Sequence, residues 1–168
     1  MQFKTNPKNF SSSALRIVPF FEEKNDKILQ EKFGTSAPSK LLFSGKKDTT
    51  HSLEIDGQIN FLIGLGDNPE YKTIENSFRR ILSKNPNLAE KEVTIEFSDN
   101  FTAEQIEAAL VGFQLGSYSI GFYKKEKTRD FAKLKVEVST SLDHAKELTD
   151  RAQKISSAKI EAFKMVDL

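Results

Sequence analysis

Gly64-Leu65-Gly66 is the first stretch of this sequence whose residue types and spacing could do chemistry, set between an apolar run and a helical pattern. A glycine turn between a strand and a helix aims backbone N–H groups and a helix N-terminus at one point, so the chemistry on offer is phosphate binding. The third glycine of a dinucleotide fingerprint is missing, and Asn68-Pro69-Glu70 fills the turn, where a carboxylate repels a pyrophosphate. A tight turn at a strand end is the plainer reading. His51 and His144 are candidate metal ligands, yet neither sits in an H-x-x-x-H or similar pattern. No G-x-S-x-G elbow is present for a serine nucleophile. Glu104, Glu107 and Asp130 read as ordinary helix-surface or loop charges, without the pairing that acid–base catalysis needs.

One dense basic cluster remains, Lys124, Lys125, Lys127 and Arg129, with Tyr118, Phe122 and Tyr123 just before it. Aromatic rings beside cations can hold single-stranded nucleic acid. Glu126 and Asp130 dilute the cluster, and a solvated loop is the simpler account. The chain as a whole agrees, with 25 basic and 24 acidic residues and a net charge of +1. Such balance gives no general attraction to nucleic acid or to an anionic membrane.

The elements that would position these residues follow from periodicity. Leu15 to Phe21 reads as a strand in which Pro19, lacking an N–H, must face an edge, a bulge or the strand end. Glu22 to Lys32 allows a short helix. Lys40–Ser44 and His51–Ile55 read as a hairpin around Gly45-Lys46-Lys47-Asp48, and Asp56-Gly57 makes the next turn. Gln58 to Leu65 is nearly all apolar, which predicts a strand at the centre of the sheet, buried on both faces. Ile74, Phe78, Ile81 and Leu82 then share one helix face, and Asn85-Pro86-Asn87 ends it.

Glu92 to Phe97 alternates as a strand. Thr102 with Gln105 forms a capping box that opens the clearest helix of the chain. That helix is apolar on two sides, and Ala108, Gly112, Gly116 and Ser117 allow close approach, so it belongs between layers. Leu134 to Val138 is a further strand. From Ser141 a helical pattern runs to the end for ~24 residues, ~36 Å at 1.5 Å per residue. It closes on Met165-Val166-Asp167-Leu168 without a stop signal, so the expectation is a chain that continues.

With 168 residues, 38% hydrophobic and 29% charged, the sequence predicts one polar globular domain. It has no cysteine, hence no disulfide or thiolate chemistry, which fits a reducing compartment. No run is long enough to span a bilayer, and the first residues lack the apolar core of a secretory signal. A cytoplasmic protein is expected.

Several segments occur in an order that resembles a known family. Ser44-Gly45-Lys46-Lys47 precedes the hairpin return, and Phe61-Leu62-Ile63-Gly64-Leu65-Gly66-Asp67 precedes a helix. Ala108-Ala109-Leu110-Val111-Gly112-Phe113-Gln114-Leu115-Gly116-Ser117-Tyr118 leads into Phe122-Tyr123-Lys124-Lys125, and Val166-Asp167-Leu168 ends a long helix. In this the chain resembles the N-terminal, non-catalytic domain of the M17 leucyl (cytosol) aminopeptidase family. Met165 stands where that family usually has an arginine, and residues 1–14 match nothing in it.

The resemblance implies an α/β domain with a mixed β-sheet flanked by helices, similar to the macro-domain fold, over residues 15–140. It implies a flexible segment before it, over 1–14, and a linker helix, over 141–168, leading to a separate catalytic domain. It places the two divalent metal ions, zinc or manganese, and every catalytic residue in that C-terminal domain, so no catalytic, cofactor-binding or metal-binding residue is assigned here. It further implies a role in hexamer assembly and in access to the active site, with the chain's own catalytic domain and its own copies as partners. Two other readings compete. One is a macro-like module for a nucleotide or ADP-ribose-type ligand, on the strength of the glycine turn. The other is a nucleic-acid binder using Lys124 to Arg129, which the charge balance disfavours.

Overall fold

Six strands and four helices alternate along the chain in a computed structural model that describes residues 1–5, 14–22, 25–85, 87–88, 91–118 and 131–166. The strands are β1 (Gln2–Thr5), β2 (Leu15–Phe20), β3 (Thr50–Ile55), β4 (Gln58–Gly64), β5 (Glu92–Glu96) and β6 (Lys135–Ser139). They form one sheet in the order β1-β6-β5-β2-β4-β3, in which only β3 runs antiparallel to its neighbour. The helices are α1 (Asn25–Phe33), α2 (Tyr71–Lys84), α3 (Ala103–Leu115) and α4 (Ala145–Val166). The α/β class and the mixed sheet are as expected.

Alternation within the strands creates a core on each face. Ile17, Ile63, Val93, Ile95, Val136 and Val138 point into the larger one, which α2, α3 and α4 cover. Val18, Phe20 and Leu62 point the other way and meet Leu29 and Phe33 of α1. This explains the near-continuous apolar run of β4, buried on both faces from Leu62 onward. Its place in the sheet differs from expectation, because β5 and β2 hold the centre and β4 is next to the edge. The two-residue Asp56-Gly57 turn is the reason. Both residues have positive φ, as a type I′ turn requires, so β3 must lie directly against β4, and it forms the outer edge.

Two further expectations need correction. Residues 40–44 form no strand, and the predicted hairpin around Gly45–Asp48 is absent. Leu41 is 99% exposed, whereas Phe43 is buried edge-on to Phe20, with ring centroids 5.7 Å apart. The 45–49 stretch packs over the glycine turn instead. Second, residues 2–5 are a strand where a loose segment was expected. β1 pairs in parallel with β6, and Met1 and Phe3 pack on the main core.

Pro19 obeys its rule. The carbonyls of Ala14 and Phe20 accept from β4-side residues, so Pro19, of opposite parity, turns its nitrogen toward β5. Pairing with β5 has already ended at Ile17↔Ile95, and no ladder hydrogen bond is lost.

The capping box of α3 is present in both directions. Thr102 Oγ1 accepts from Gln105 N at 3.3 Å, and Gln105 Oε1 accepts from Thr102 N at 3.0 Å. Every residue of this helix from Ile106 to Leu115 is buried. A Cβ on Gly112 would overlap the carbonyl of Glu75, and one on Gly116 would lie 2.5 Å from the Arg79 carbonyl oxygen. Two glycines one turn apart therefore let the α2 backbone settle directly onto α3. The same two α2 residues reach α4 with their side chains: Glu75 meets Lys159, and Arg79 lies over the Phe163 ring at 5.6 Å. Steps of four residues on α2, α3 and α4 thus form a two-rung ladder.

Candidate functional site

The glycine turn is built around its own backbone. Gly64 N donates to Thr49 O, Leu65 N to Phe20 O and Gly66 N to Gly45 O, at 2.8–2.9 Å. A Cβ on Gly64 would strike the Lys46 carbonyl, and Gly66 has a φ of +77°, which favours glycine. All three N–H groups that a phosphate would need are committed, so the turn offers an anion no cradle. The macro-like reading gains nothing from it.

The second grouping is a polar seam where α2, α3 and α4 meet. Glu75, its side chain 1% exposed, accepts hydrogen bonds from Lys72 and from Lys159. Burial disfavours its charge, but the hydrogen bonds and charges of Lys159 and Lys72 outweigh that, and its pKa falls below the ordinary carboxylate value. Glu107 lies one helix further in. Arg151 Nε is 2.7 Å from its carboxylate, and the Tyr71 hydroxyl donates to it at 3.4 Å. Burial first, then the negative charges of Glu107 and Glu75, push the Tyr71 hydroxyl up to about 12. A tyrosine so held stays neutral and cannot act as a base near neutrality. The seam fastens helices; its groups face one another. Glu107, expected at the helix surface, is thereby corrected to a buried and paired residue.

The third is a cavity of about 510 Å³ at the N-terminal ends of β2 and β4, lined by Arg16, Lys32, Phe33, Asp56, Gln58 and Asn60 among others. Glu96 joins its two cations, with Lys32 Nζ donating to Oε1 and Arg16 Nε 3.2 Å from Oε2. Asn60 is 2% exposed; its Nδ2 donates to Gln58 O at 3.2 Å, while its Oδ1 has no hydrogen-bond partner among the described residues. An unmet buried acceptor costs about 1–3 kcal/mol. Nothing in the sequence singled out this group, because Arg16, Lys32, Asn60 and Glu96 come from four elements.

Of the residues weighed from sequence, His51 is half-buried on β3 opposite Leu62, and exposed His144 has its Nδ1 3.0 Å from Glu147 Oε2. Glu104 is exposed, as expected. Lys124, Lys125, Lys127, Arg129 and Asp130 lie outside the described residues. Ser156 and Lys159 stand at S-x-x-K spacing on α4, but the Ser156 hydroxyl donates to the carbonyls of Ala152 and Gln153 and Lys159 bonds Glu75, so they form no nucleophile pair. Among the described residues no group of three or more His, Asp or Glu side chains is placed to hold a metal ion, and no helix is long and apolar enough to cross a membrane.

No known protein family and no curated protein matches the chain by sequence. Solved structures do match by fold. A point mutant of tomato leucine aminopeptidase superposes with a TM-score of 0.72 at 15% identity, over 94% of this chain and 36% of its own. The bottromycin maturation enzyme BotP, in complex with manganese, gives 0.58 at 13% identity over 89% and 30%. The cytosol aminopeptidase of Coxiella burnetii gives 0.50 at 21% identity over 90% and 31%. The chain spans about a third of the length of these proteins. It therefore has the fold of one part of the leucine aminopeptidase chain, in agreement with its sequence resemblance to their N-terminal domain.

Proposed function

We propose that this chain is the non-catalytic N-terminal domain of a cytoplasmic, metal-dependent leucyl aminopeptidase. Removal of N-terminal amino acids from peptides is the work of a C-terminal domain carrying two divalent metal ions, zinc or manganese. This domain contributes to oligomer assembly, as a hexamer, and to shaping access to the active site. One observation carries the reading: 94% of this chain finds its fold in 36% of an aminopeptidase chain. The chemistry agrees, because the buried carboxylates Glu75, Glu96 and Glu107 each face lysine or arginine.

The test is the mass of the native gene product together with hydrolysis of leucyl amides in the presence of zinc or manganese. The expected product is longer than 19.0 kDa and hydrolyses the amide only when the additional part is present. Metal-dependent hydrolysis by the 168-residue chain alone would sink the non-catalytic assignment, and a native product of this size would sink the domain assignment.

A further inference from the structure

The backbone of β3 has a partner on one side only. Gly64 N donates to Thr49 O, whereas Ile59 N and Leu65 N donate to Ala14 O and Phe20 O on the β2 side. Ladder groups alternate along a strand, so Gln58, Asn60 and Leu62 turn theirs to β3, and their register partners Ile55, Leu53 and His51 turn theirs to β4. Thr50, Ser52 and Glu54 therefore point N–H and C=O groups outward, where no described strand lies. All three residues are exposed. The six residues of β3 hold no proline, lysine or bulge, the usual guards of an edge, and Glu54 is their one carboxylate. β1, at the other edge, is only four residues long and carries Lys4.

Charge is divided between the two ends of this edge. The hairpin end has Glu54 and Asp56, both exposed and without an ion-pair partner among the described residues. The Thr50 end has exposed Lys46, Lys47 and Lys84, also unpaired there, and Arg80, which Asp48 holds at 2.9 Å. Thr50, Arg80 and Lys84 line a common cleft with Phe61, Ile63 and Ile81. A second copy laid antiparallel about Ser52 sets Thr50 against Glu54 of that copy, Ser52 against Ser52, and Glu54 against Thr50. In each pair the outward groups of both residues face one another, which makes it a hydrogen-bonded pair with two N–H···O bonds. The acidic end of each copy then lies along the basic end of the other, and Glu54 of the second copy comes to the side of the cleft that holds Lys84. Asp56 comes toward Asp48, whose charge Arg80 already offsets. A parallel pairing would set like ends together.

We propose that β3 is the surface through which two copies of this chain pair, antiparallel about a two-fold axis at Ser52, so that their sheets join into one. The occupant is a second copy because the edge complements itself twice over, in hydrogen-bond register and in charge. Ser52, small and uncharged, meets its own counterpart without repulsion. The pairing gives the assembly role put forward above a surface and a symmetry, and rests on that reading only for its place in a larger enzyme.

The experiment is sedimentation equilibrium and amide hydrogen exchange of the 168-residue chain at ~20 μM and ~1 mM. The mass is expected to rise with concentration from 19.0 kDa toward twice that value. With it, the amides of Thr50, Ser52 and Glu54 gain about tenfold or more protection, while those of His51, Leu53 and Ile55, bonded to β4, are protected at both concentrations. Ser52→Lys sets two ammonium groups face to face, and Glu54→Lys acts at two symmetry-related contacts; each weakens association by about tenfold or more. Adding Lys84→Glu to Glu54→Lys restores association to within about threefold of the unaltered chain. A mass of 19.0 kDa at both concentrations overturns the proposal. So does association that leaves the three outward amides unprotected, or a charge exchange that fails to restore it in a folded chain. The exchange pattern of the unaltered chain decides even if a variant misfolds. None of these results bears on metal-dependent hydrolysis, by which the aminopeptidase reading is tested separately.

Discussion

A methyl group on Gly112 would occupy the space of the Glu75 carbonyl, and backbone on backbone cannot yield as a flexible side chain can. Gly112→Ala is therefore expected to destabilise the chain by roughly 3 kcal/mol, the top of the range for overpacking. Gly57→Ala, where a new Cβ meets nothing within 4 Å but φ is +77°, should cost only about 1 kcal/mol. Urea unfolding of the two variants measures the contrast. The seam predicts the pH limbs of stability. Glu75 has a lowered pKa in the folded chain, so its contribution is present above the ordinary value of 4.5 and is lost as pH falls through the folded value. Glu75→Gln should flatten that acid limb. Tyr71 goes the other way. Its folded pKa is raised from 10.0 to about 12, so its contribution is intact below pH 10 and is lost as pH rises toward 12. Tyr71→Phe should remove that part of the alkaline loss in unfolding midpoints measured against pH.

At the scale of elements, α4 buries only Ala145, Thr149, Ala152 and Ser156 among its 22 residues, and it is held by particular side chains. Phe163 lies tilted against Tyr118 with ring centroids 5.9 Å apart, receives Arg79 on its face, and follows Lys159 by one turn. Phe163→Ala should therefore speed amide hydrogen exchange in the second half of α4 by about five- to thirtyfold, since cation–π and ring contacts of about 1–2 kcal/mol are lost. α3, buried throughout, should keep its protection. Unchanged exchange beyond Ile155 would show that the ladder does not hold α4. The sequence made much of this scale legible. The capping box, the alternation of β6 and the small residues of α3 each depend on a local period, and each appears where expected, whereas β5 is a strand whose alternating polar residues Thr94 and Glu96 are buried as well. The hairpin at 40–55 was misread because Leu41-Leu42-Phe43 has the composition of a strand, while only Phe43 has a core to enter. β1 escaped notice because four residues carry too short a pattern to stand out.

The whole molecule has two cores on opposite faces of one sheet, and they share strands: Ile17 and Val18 are adjacent on β2, yet enter different cores. Unfolding is expected to be a single cooperative transition, because neither core can lose its strands alone. Coincident denaturant midpoints from far-ultraviolet and near-ultraviolet circular dichroism would support this, and two separated transitions would refute it. The strand–turn–helix around Gly64 has the residue types of an anion site, but carbonyls of the 45–49 stretch and of Phe20 on β2 take each N–H.

The sequence by itself determined the α/β alternation, the buried character of β4, the start of α3 and the balance of charge, all of which depend on residue type and local spacing. Only the tertiary structure decided that β4 is beside the edge, that Glu107 is buried against Arg151, and that Arg16, Lys32 and Asn60 line one cavity, with Glu96 paired to its two cations. Which face a residue takes follows from local period, but what covers that face depends on groups far along the chain, and no spacing records it.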